Sequence, residues 1–122
     1  MAFLYHIKAD GQAECWVVND KPVVLGRGDF ADAYVEDDSL SRSHFLIIRE
    51  RDEYFLIDLH SSNGTCVDGE QVSARKLNSN EIIQAGDSQF FFSVRPVTPN
   101  ALPRPLPFGK LPLPPGSELS AV

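Results

Sequence analysis

Short apolar segments separated by turn residues set the strongest limit on how this chain can fold. Each has six or seven residues and is rich in β-branched or aromatic side chains, which is typical of strands. In the last segment, Phe90, Phe92 and Val94 alternate with other residues, as in a strand with one buried face. Strands spaced by about 8–12 residues predict an all-β sandwich or barrel, and we favour the sandwich. The segments are 2–8, 13–18, 22–27, 44–50, 53–59 and 89–95.

Residues 80–86, Asn-Glu-Ile-Ile-Gln-Ala-Gly, could be read as the start of a helix with Asn80 as its cap. The stretch is too short for a helix of ordinary length, and its two adjacent isoleucines favour extended backbone. We therefore predict another strand here.

The composition changes abruptly after Arg95. Eight of the nine prolines lie in residues 96–122, and proline fixes φ and lacks the backbone donor that a sheet interior requires. We therefore predict one folded domain at residues 1–95, followed by a Pro-rich tail or linker at 96–122 that is disordered or extended. A chain ending at Arg95 is expected to keep its fold and its stability.

The net charge of −6 narrows the range of partners. Nucleic acids and anionic membrane surfaces are bound through broad cationic surfaces, so neither is expected as a partner. The sequence has no apolar run of about 18 residues and no signal-peptide pattern. Cys15 and Cys66 lack the number and spacing of a disulfide framework or a metal site, so we expect reduced thiols, no metal and no cofactor. We predict a cytoplasmic protein, or a nuclear one if its source is a eukaryote.

Three polar clusters, at 26–28, 41–44 and 61–65, each adjoin an apolar segment. Such junctions between strand and loop are the usual place for function on a rigid scaffold. Each cluster alone also has an ordinary structural explanation. Arg27 would be a surface arginine, Ser41 a turn residue and His44 a satisfied structural histidine, while Asn-Gly is a common hairpin sequence.

Taken together, the order and spacing of the clusters resemble the forkhead-associated (FHA) domain family. The resemblance extends from about residue 23 to residue 87 and rests on Gly-Arg, then Ser-x-x-His, then Asn-Gly. It implies a β-sandwich of about eleven short, mostly antiparallel strands, which binds phosphothreonine peptides through loops at one end. The matching residues are Gly26, Arg27, Ser41, His44, Asn63 and Gly64.

The resemblance also implies a role for each of these residues and their neighbours. The phosphate would be bound by Arg27, Ser41, Arg42 and Ser62. Asn63 would bind the peptide backbone, and Gly26, His44 and Gly64 would support the site. The chemistry is suitable, because a phosphothreonine carries about −1.5 to −2 charges and guanidinium groups offer it forked donors.

This sequence departs from the family's pattern at His60, where the family often has glycine. If that position requires a positive φ, His60 is strained or the loop is reshaped. Ser62 replaces a frequent threonine but keeps the hydroxyl. Phe30 and Tyr34 could line a peptide groove, although we favour a role in the core.

Two other functions are considered. Ser41, His44 and Asp58 could suggest a nucleophile, a base and its partner, but residues three apart on a strand face opposite sides, so we predict no enzyme. The stronger alternative is an FHA fold that serves as a phosphate-independent interaction or dimerisation module. We favour phosphothreonine-dependent binding in Ser/Thr kinase signalling, with a phosphothreonine-containing protein as partner and a Ser/Thr kinase upstream.

Overall fold

The computed structural model describes residues 1–10 and 12–105, which form eleven strands and one short 3-10 turn at Pro99–Ala101. The strands are β1 (Ala2–Ile7), β2 (Ala13–Val18), β3 (Val23–Gly26), β4 (Ala33–Tyr34), β5 (Phe45–Glu50), β6 (Glu53–Asp58), β7 (Thr65–Val67), β8 (Glu70–Val72), β9 (Ala74–Leu77), β10 (Glu81–Ala85) and β11 (Ser88–Ser93).

The strands form two sheets, with the orders β2-β1-β11-β10-β7-β8 and β4-β3-β5-β6-β9. Every pairing is antiparallel except that of β3 with β4, which is parallel. The predicted all-β sandwich is therefore confirmed. The segment that could be read as a helix is strand β10, as predicted.

The core lies between the two sheets and contains large, fully buried side chains from both. Phe90 and Phe92 of β11 face Phe45 of β5 and Tyr54 of β6. The rings of Phe45 and Phe90 meet edge to face at 5.9 Å, and those of Tyr54 and Phe92 at 5.5 Å. Such aromatic pairs hold the two sheets in a fixed relation, which in turn fixes the loops at the ends of the sandwich.

Strand β11 differs from its prediction because both of its faces are buried. Phe91 points away from the core and packs with Tyr5 and Ile7 of β1 on the outer face of the six-stranded sheet. Val97 and Leu102, beyond the strand, pack against this second cluster, so alternation along the sequence could not reveal it.

The chain after β11 therefore contacts the sandwich before residue 105. The Val97 amide donates a hydrogen bond to the Tyr5 hydroxyl at 2.8 Å, in addition to the apolar contacts. The remainder of the predicted tail, residues 106–122, lies outside the described residues, and a domain boundary near Arg95 stays a prediction.

Cys15 lies in β2 and Cys66 in β7, and both thiols are free. Burial raises the pKa of each thiol, with a hydrogen bond to Tyr5 opposing the rise at Cys15, so neither is activated as a nucleophile. The described part of the chain has no helix of the length and hydrophobicity that crossing a bilayer requires.

Three connections gather at one end of the sandwich. Residue pairings Leu25↔Phe45 and Phe45↔Asp58 place the end of β3, the start of β5 and the end of β6 side by side. The loops that leave these strand ends carry the three polar clusters. They are the β3–β4 loop (27–32), the β4–β5 loop (35–44) and the β6–β7 loop (59–64).

Candidate functional site

Main-chain hydrogen bonds join the β3–β4 loop to the β4–β5 loop. The amide of Arg27 donates to the Ser41 carbonyl at 3.2 Å, and the amide of Gly28 donates to the Arg42 carbonyl at 3.1 Å. The loop segments that carry the two arginines predicted as phosphate ligands are therefore hydrogen-bonded to each other through their main chains.

Gly26 makes this close approach between the loops feasible. A Cβ atom at this position would lie 2.1 Å from the Arg42 carbonyl oxygen and 2.8 Å from that of Ser41. Any other residue would push the β4–β5 loop away. In the Gly-Arg sequence, the glycine is thus required for packing, and the arginine that follows it is a candidate ligand.

His44 is fully buried and bridges two loops through its ring nitrogens. Its Nδ1 accepts a hydrogen bond from the Ser41 amide at 3.0 Å, and its Nε2 lies 2.8 Å from the Gly64 carbonyl oxygen. Because a carbonyl only accepts, the ring proton must be on Nε2. This position is the one that a supporting role requires, and it leaves the ring without access to solvent.

Ser41 connects to the β6–β7 loop through its side chain rather than to His44. Its hydroxyl oxygen accepts a hydrogen bond from the Ser62 amide at 3.0 Å, while its own main-chain amide binds the histidine. The Ser41 hydroxyl keeps its proton available for an external acceptor. No hydrogen bond joins the Ser41 hydroxyl to His44 in the described structure, so the nucleophile–base arrangement is not formed.

Arg27 is exposed, but its guanidinium is partly held in place. Its Nε donates to the carbonyl of Leu40 at 2.7 Å, which leaves both terminal amino groups available to other acceptors. Arg42 is also exposed. Among the described residues, neither arginine forms an ion pair, although the chain has a net charge of −6.

Asn63 is exposed at the tip of the β6–β7 loop, and its side chain is oriented by the neighbouring loop. Its Nδ2 donates a hydrogen bond to the Ser39 carbonyl at 2.7 Å. Ser39 in turn donates from its hydroxyl to Asp37 at 2.7 Å and accepts from the Asp87 amide at 2.8 Å. The predicted peptide-binding amide is therefore anchored across loops that are distant in sequence.

Asp58 organises the base of the β6–β7 loop. Its carboxylate accepts hydrogen bonds from the Ser61 amide at 3.1 Å, from the Ser61 hydroxyl and from the Thr65 hydroxyl at 2.8 Å. Burial raises the pKa of this carboxyl, but the hydrogen bonds outweigh burial and the pKa lies below its usual value. The sequence indicated Asp58 only as a catalytic partner and not in this role, although an aspartate three residues before a serine is a local turn signal.

His60 has φ of 56°, in the left-handed region that L-residues with a side chain seldom adopt. The loop therefore keeps the positive φ that suits glycine, and His60 carries a strain of about 1–2 kcal/mol. Gly64, at the other end of the same loop, has φ of 79° and can adopt it without this penalty.

The preferred core role of Phe30 and Tyr34 is wrong. Phe30 is 99% exposed and Tyr34 is 49% exposed. Both belong to the segment of the sequence that connects β3 to β5, in which Ala33 and Val35 supply the buried side chains instead. The small Ala33 fits beside Leu25 in the parallel β3–β4 pair, which turns Tyr34 outward.

The three loops and the buried histidine between them lie within the segment that matches one known family. The sequence profile of the FHA domain matches residues 23–86, which include all eight candidate site residues. The chain belongs to the FHA domain family. FHA domains are modules that bind phosphothreonine peptides.

Curated proteins and solved structures resemble this chain at moderate identity. FHA domain-containing protein FhaA of Mycobacterium tuberculosis is 30% identical over 80 residues, which cover 66% of this chain and 15% of that protein. The oxoglutarate dehydrogenase inhibitor of Corynebacterium jeikeium is 29% identical over 77 residues, which cover 63% of this chain and 54% of that protein. This FHA chain therefore spans only part of the length of these relatives.

A solved structure of Mycobacterium tuberculosis EmbR, in complex with a low-affinity phosphopeptide, superposes on this FHA chain with a TM-score of 0.69. The two are 31% identical, and the match covers 80% of this chain and 25% of EmbR.

Proposed function

We propose that this FHA domain binds phosphothreonine peptides through Arg27, Ser41, Arg42 and Ser62. The observation that carries the proposal is the pair of exposed arginines that have no carboxylate partner among the described residues of an acidic chain. Both sit on loops fixed to each other by main-chain hydrogen bonds. Two cations held close together without a counter-ion attract a dianion such as phosphate.

The donors of the site suit the tetrahedral oxygens of a phosphate. Arg27 is anchored through Nε and offers its two terminal amino groups, and Arg42 adds a second guanidinium. The hydroxyls of Ser41 and Ser62 are small donors that fit between these long side chains. Because the loops are already ordered by His44, little conformational entropy is lost when the ligand binds.

Asn63 is assigned to the peptide backbone beside the phosphothreonine. One amide proton is used to bind Ser39, which fixes the orientation of the side chain. The amide oxygen and the second proton can then pair with a main-chain N–H and C=O of the ligand. Gly26, His44 and Gly64 support the site without contacting the ligand.

A phosphothreonine-containing protein is the proposed partner, and a Ser/Thr kinase would act upstream of it. We place this binding in the cytoplasm, or in the nucleus of a eukaryote, and assign no catalytic step to the domain. The proposal concerns this chain alone, because its relatives contain further sequence that it does not cover.

Isothermal titration with three matched peptides tests the proposal. The peptides carry phosphothreonine, phosphoserine or unmodified threonine in one alanine-flanked sequence. We expect the phosphothreonine peptide to bind more tightly than the unmodified one by several kcal/mol, at about 1.5–3 kcal/mol for each charged hydrogen bond. The preference over phosphoserine should be smaller, since one methyl group contributes about 0.8 kcal/mol.

Equal affinity for the phosphorylated and unmodified threonine peptides would refute phosphate recognition and favour the phosphate-independent module. The charge-matched control is Lys21→Ala, which removes one positive charge from the turn between β2 and β3, at the opposite end of the sandwich. This control should keep the phosphate dependence, whereas Arg27→Ala should lose most of it.

A further inference from the structure

We propose that Phe30 determines sequence specificity by packing against an apolar side chain that flanks the phosphothreonine. The inference rests on the proposed function and adds a class of ligand sequence to it. Phe30 is 99% exposed, whereas the other exposed large hydrophobic residues of the described chain are 43–59% exposed. A fully exposed phenylalanine on a loop of the proposed site offers contact area that a ligand can bury.

The β3–β4 loop holds Phe30 outward through anchored neighbours. The Ala31 amide donates to the Gly28 carbonyl at 3.1 Å, which closes a tight turn around residues 29 and 30. The loop is fixed on its far side by Asp32, whose carboxylate accepts the Val24 amide at 2.9 Å. The ring is therefore presented from an ordered turn, and a ligand can bury it without first ordering the loop.

The turn is continuous with the proposed phosphate site. Gly28 is hydrogen-bonded to the Arg42 main chain, and a Cβ atom on Gly28 would lie 3.0 Å from the Arg42 Cβ. Phe30 follows two residues later, so its Cα lies within about 7 Å of that of Gly28. An extended peptide advances about 3.3 Å per residue, which brings a side chain two or three positions from the phosphothreonine to this distance.

The charge beside Phe30 selects against acidic flanking residues. Asp29, its neighbour in the sequence, is exposed and forms no ion pair in the described structure. A carboxylate of the ligand that packs against Phe30 would meet this like charge. An apolar residue avoids that repulsion and gains contact with the ring.

Fluorescence-anisotropy titrations with a peptide panel test the inference. The reference is an alanine-flanked phosphothreonine peptide, and the panel places leucine or aspartate singly at three positions on either side. We expect leucine at one position to tighten binding about fivefold to tenfold, as expected for partial burial of an aromatic ring. Aspartate at the same position should weaken binding.

Phe30→Ala should abolish the leucine gain and leave the affinity for the reference peptide unchanged. Phe30→Leu should restore part of the gain, because it keeps an apolar surface. Val94→Ala is the matched control: Val94 is 43% exposed, and its amide binds Ser79 beyond β9, at the opposite end of the sandwich. This control should retain the full leucine preference.

The result that overturns the inference is a Phe30→Ala protein that keeps the leucine preference, or one that weakens every peptide equally. A wild-type protein without any flanking preference overturns it as well. Failure of the proposed function would differ, since the reference peptide would then bind no better than its unphosphorylated form.

Discussion

Replacing His44 by alanine is expected to disorganise the site without removing any side chain that faces the ligand. The ring is fully buried and joins the Ser41 amide to the Gly64 carbonyl. Alanine removes both hydrogen bonds at once and leaves a donor on one loop and an acceptor on another without a partner. The two loops would then lose the contact that sets their spacing.

The loss of stability can be estimated from the Ser41 amide and the Gly64 carbonyl, which the substitution leaves without partners. A buried donor or acceptor left unsatisfied costs about 1–3 kcal/mol, so two of them cost about 2–6 kcal/mol. Water entering the vacated space would satisfy part of the loss, and we expect about 2–4 kcal/mol. In a domain of this size each kcal/mol lowers the Tm by about 4–8 °C, so the Tm should fall by at least about 8 °C.

Arg42→Ala should have the opposite profile. Its guanidinium is exposed and forms no ion pair in the described structure, so the unfolding free energy should change by less than about 0.5 kcal/mol. Loss of one charged hydrogen bond to phosphate should weaken binding by about 1.5–3 kcal/mol, or tenfold to about 150-fold. The loss should be smaller at high salt, where the charges are screened.

Thermal melts and phosphopeptide titrations on both variants, with Lys21→Ala as the charge control, separate the two roles. A His44→Ala protein that melts like the wild type but no longer binds would show that His44 contacts the ligand itself. A destabilised Arg42→Ala protein would instead mean that this arginine holds the loops together, and its assignment to phosphate would be wrong.

Three further variants test separate parts of the structure. The sequence predicts unchanged stability after truncation at Arg95, but this truncation removes two apolar contacts and the hydrogen bond to Tyr5, so we now expect urea unfolding to show a loss of about 2 kcal/mol; an unchanged midpoint would support the sequence-based prediction. His60→Gly should raise the unfolding free energy by up to about 1 kcal/mol, because glycine accepts the positive φ, and a lower Tm would contradict the assigned strain. Asp58→Asn should destabilise the domain more at pH 6 than at pH 3. Because the carboxyl pKa is lowered in the folded state, Asp58 contributes stability at pH values above its usual pKa of about 3.9. That stability is lost as the pH falls through the folded pKa, and equal destabilisation at both pH values would argue against this linkage.

The sequence was sufficient for the fold because its signals are local. The adjacent isoleucines of 80–86 favoured extended backbone, and the segment is strand β10. The three polar clusters could likewise be placed at the junctions of strands and loops, since each adjoins the end or the start of an apolar segment. The strain at His60 also follows from one position, because the loop retains the φ that glycine would adopt.

Contacts between segments that are distant in the sequence could not be predicted from such local signals. The alternation in β11 predicted one buried face, but Phe91 is covered by Tyr5 and Ile7 together with Val97 and Leu102. A core role was favoured for Phe30, yet it is 99% exposed, and the small Ala33 is the residue buried beside Leu25 of β3. Both outcomes depend on the space that other strands leave.

The anchoring of Asn63 shows why the site extends beyond its motif. Its side chain binds the Ser39 carbonyl, 24 residues earlier, and Ser39 accepts the Asp87 amide, 48 residues later. Ser39 and Asp87 are ordinary loop residues, so nothing in their local sequence predicts that they orient the Asn63 amide. The turn between β10 and β11 thus lies behind the residue that we propose for peptide binding, and a change there should alter affinity through Ser39 without removing any group that is proposed to contact the peptide.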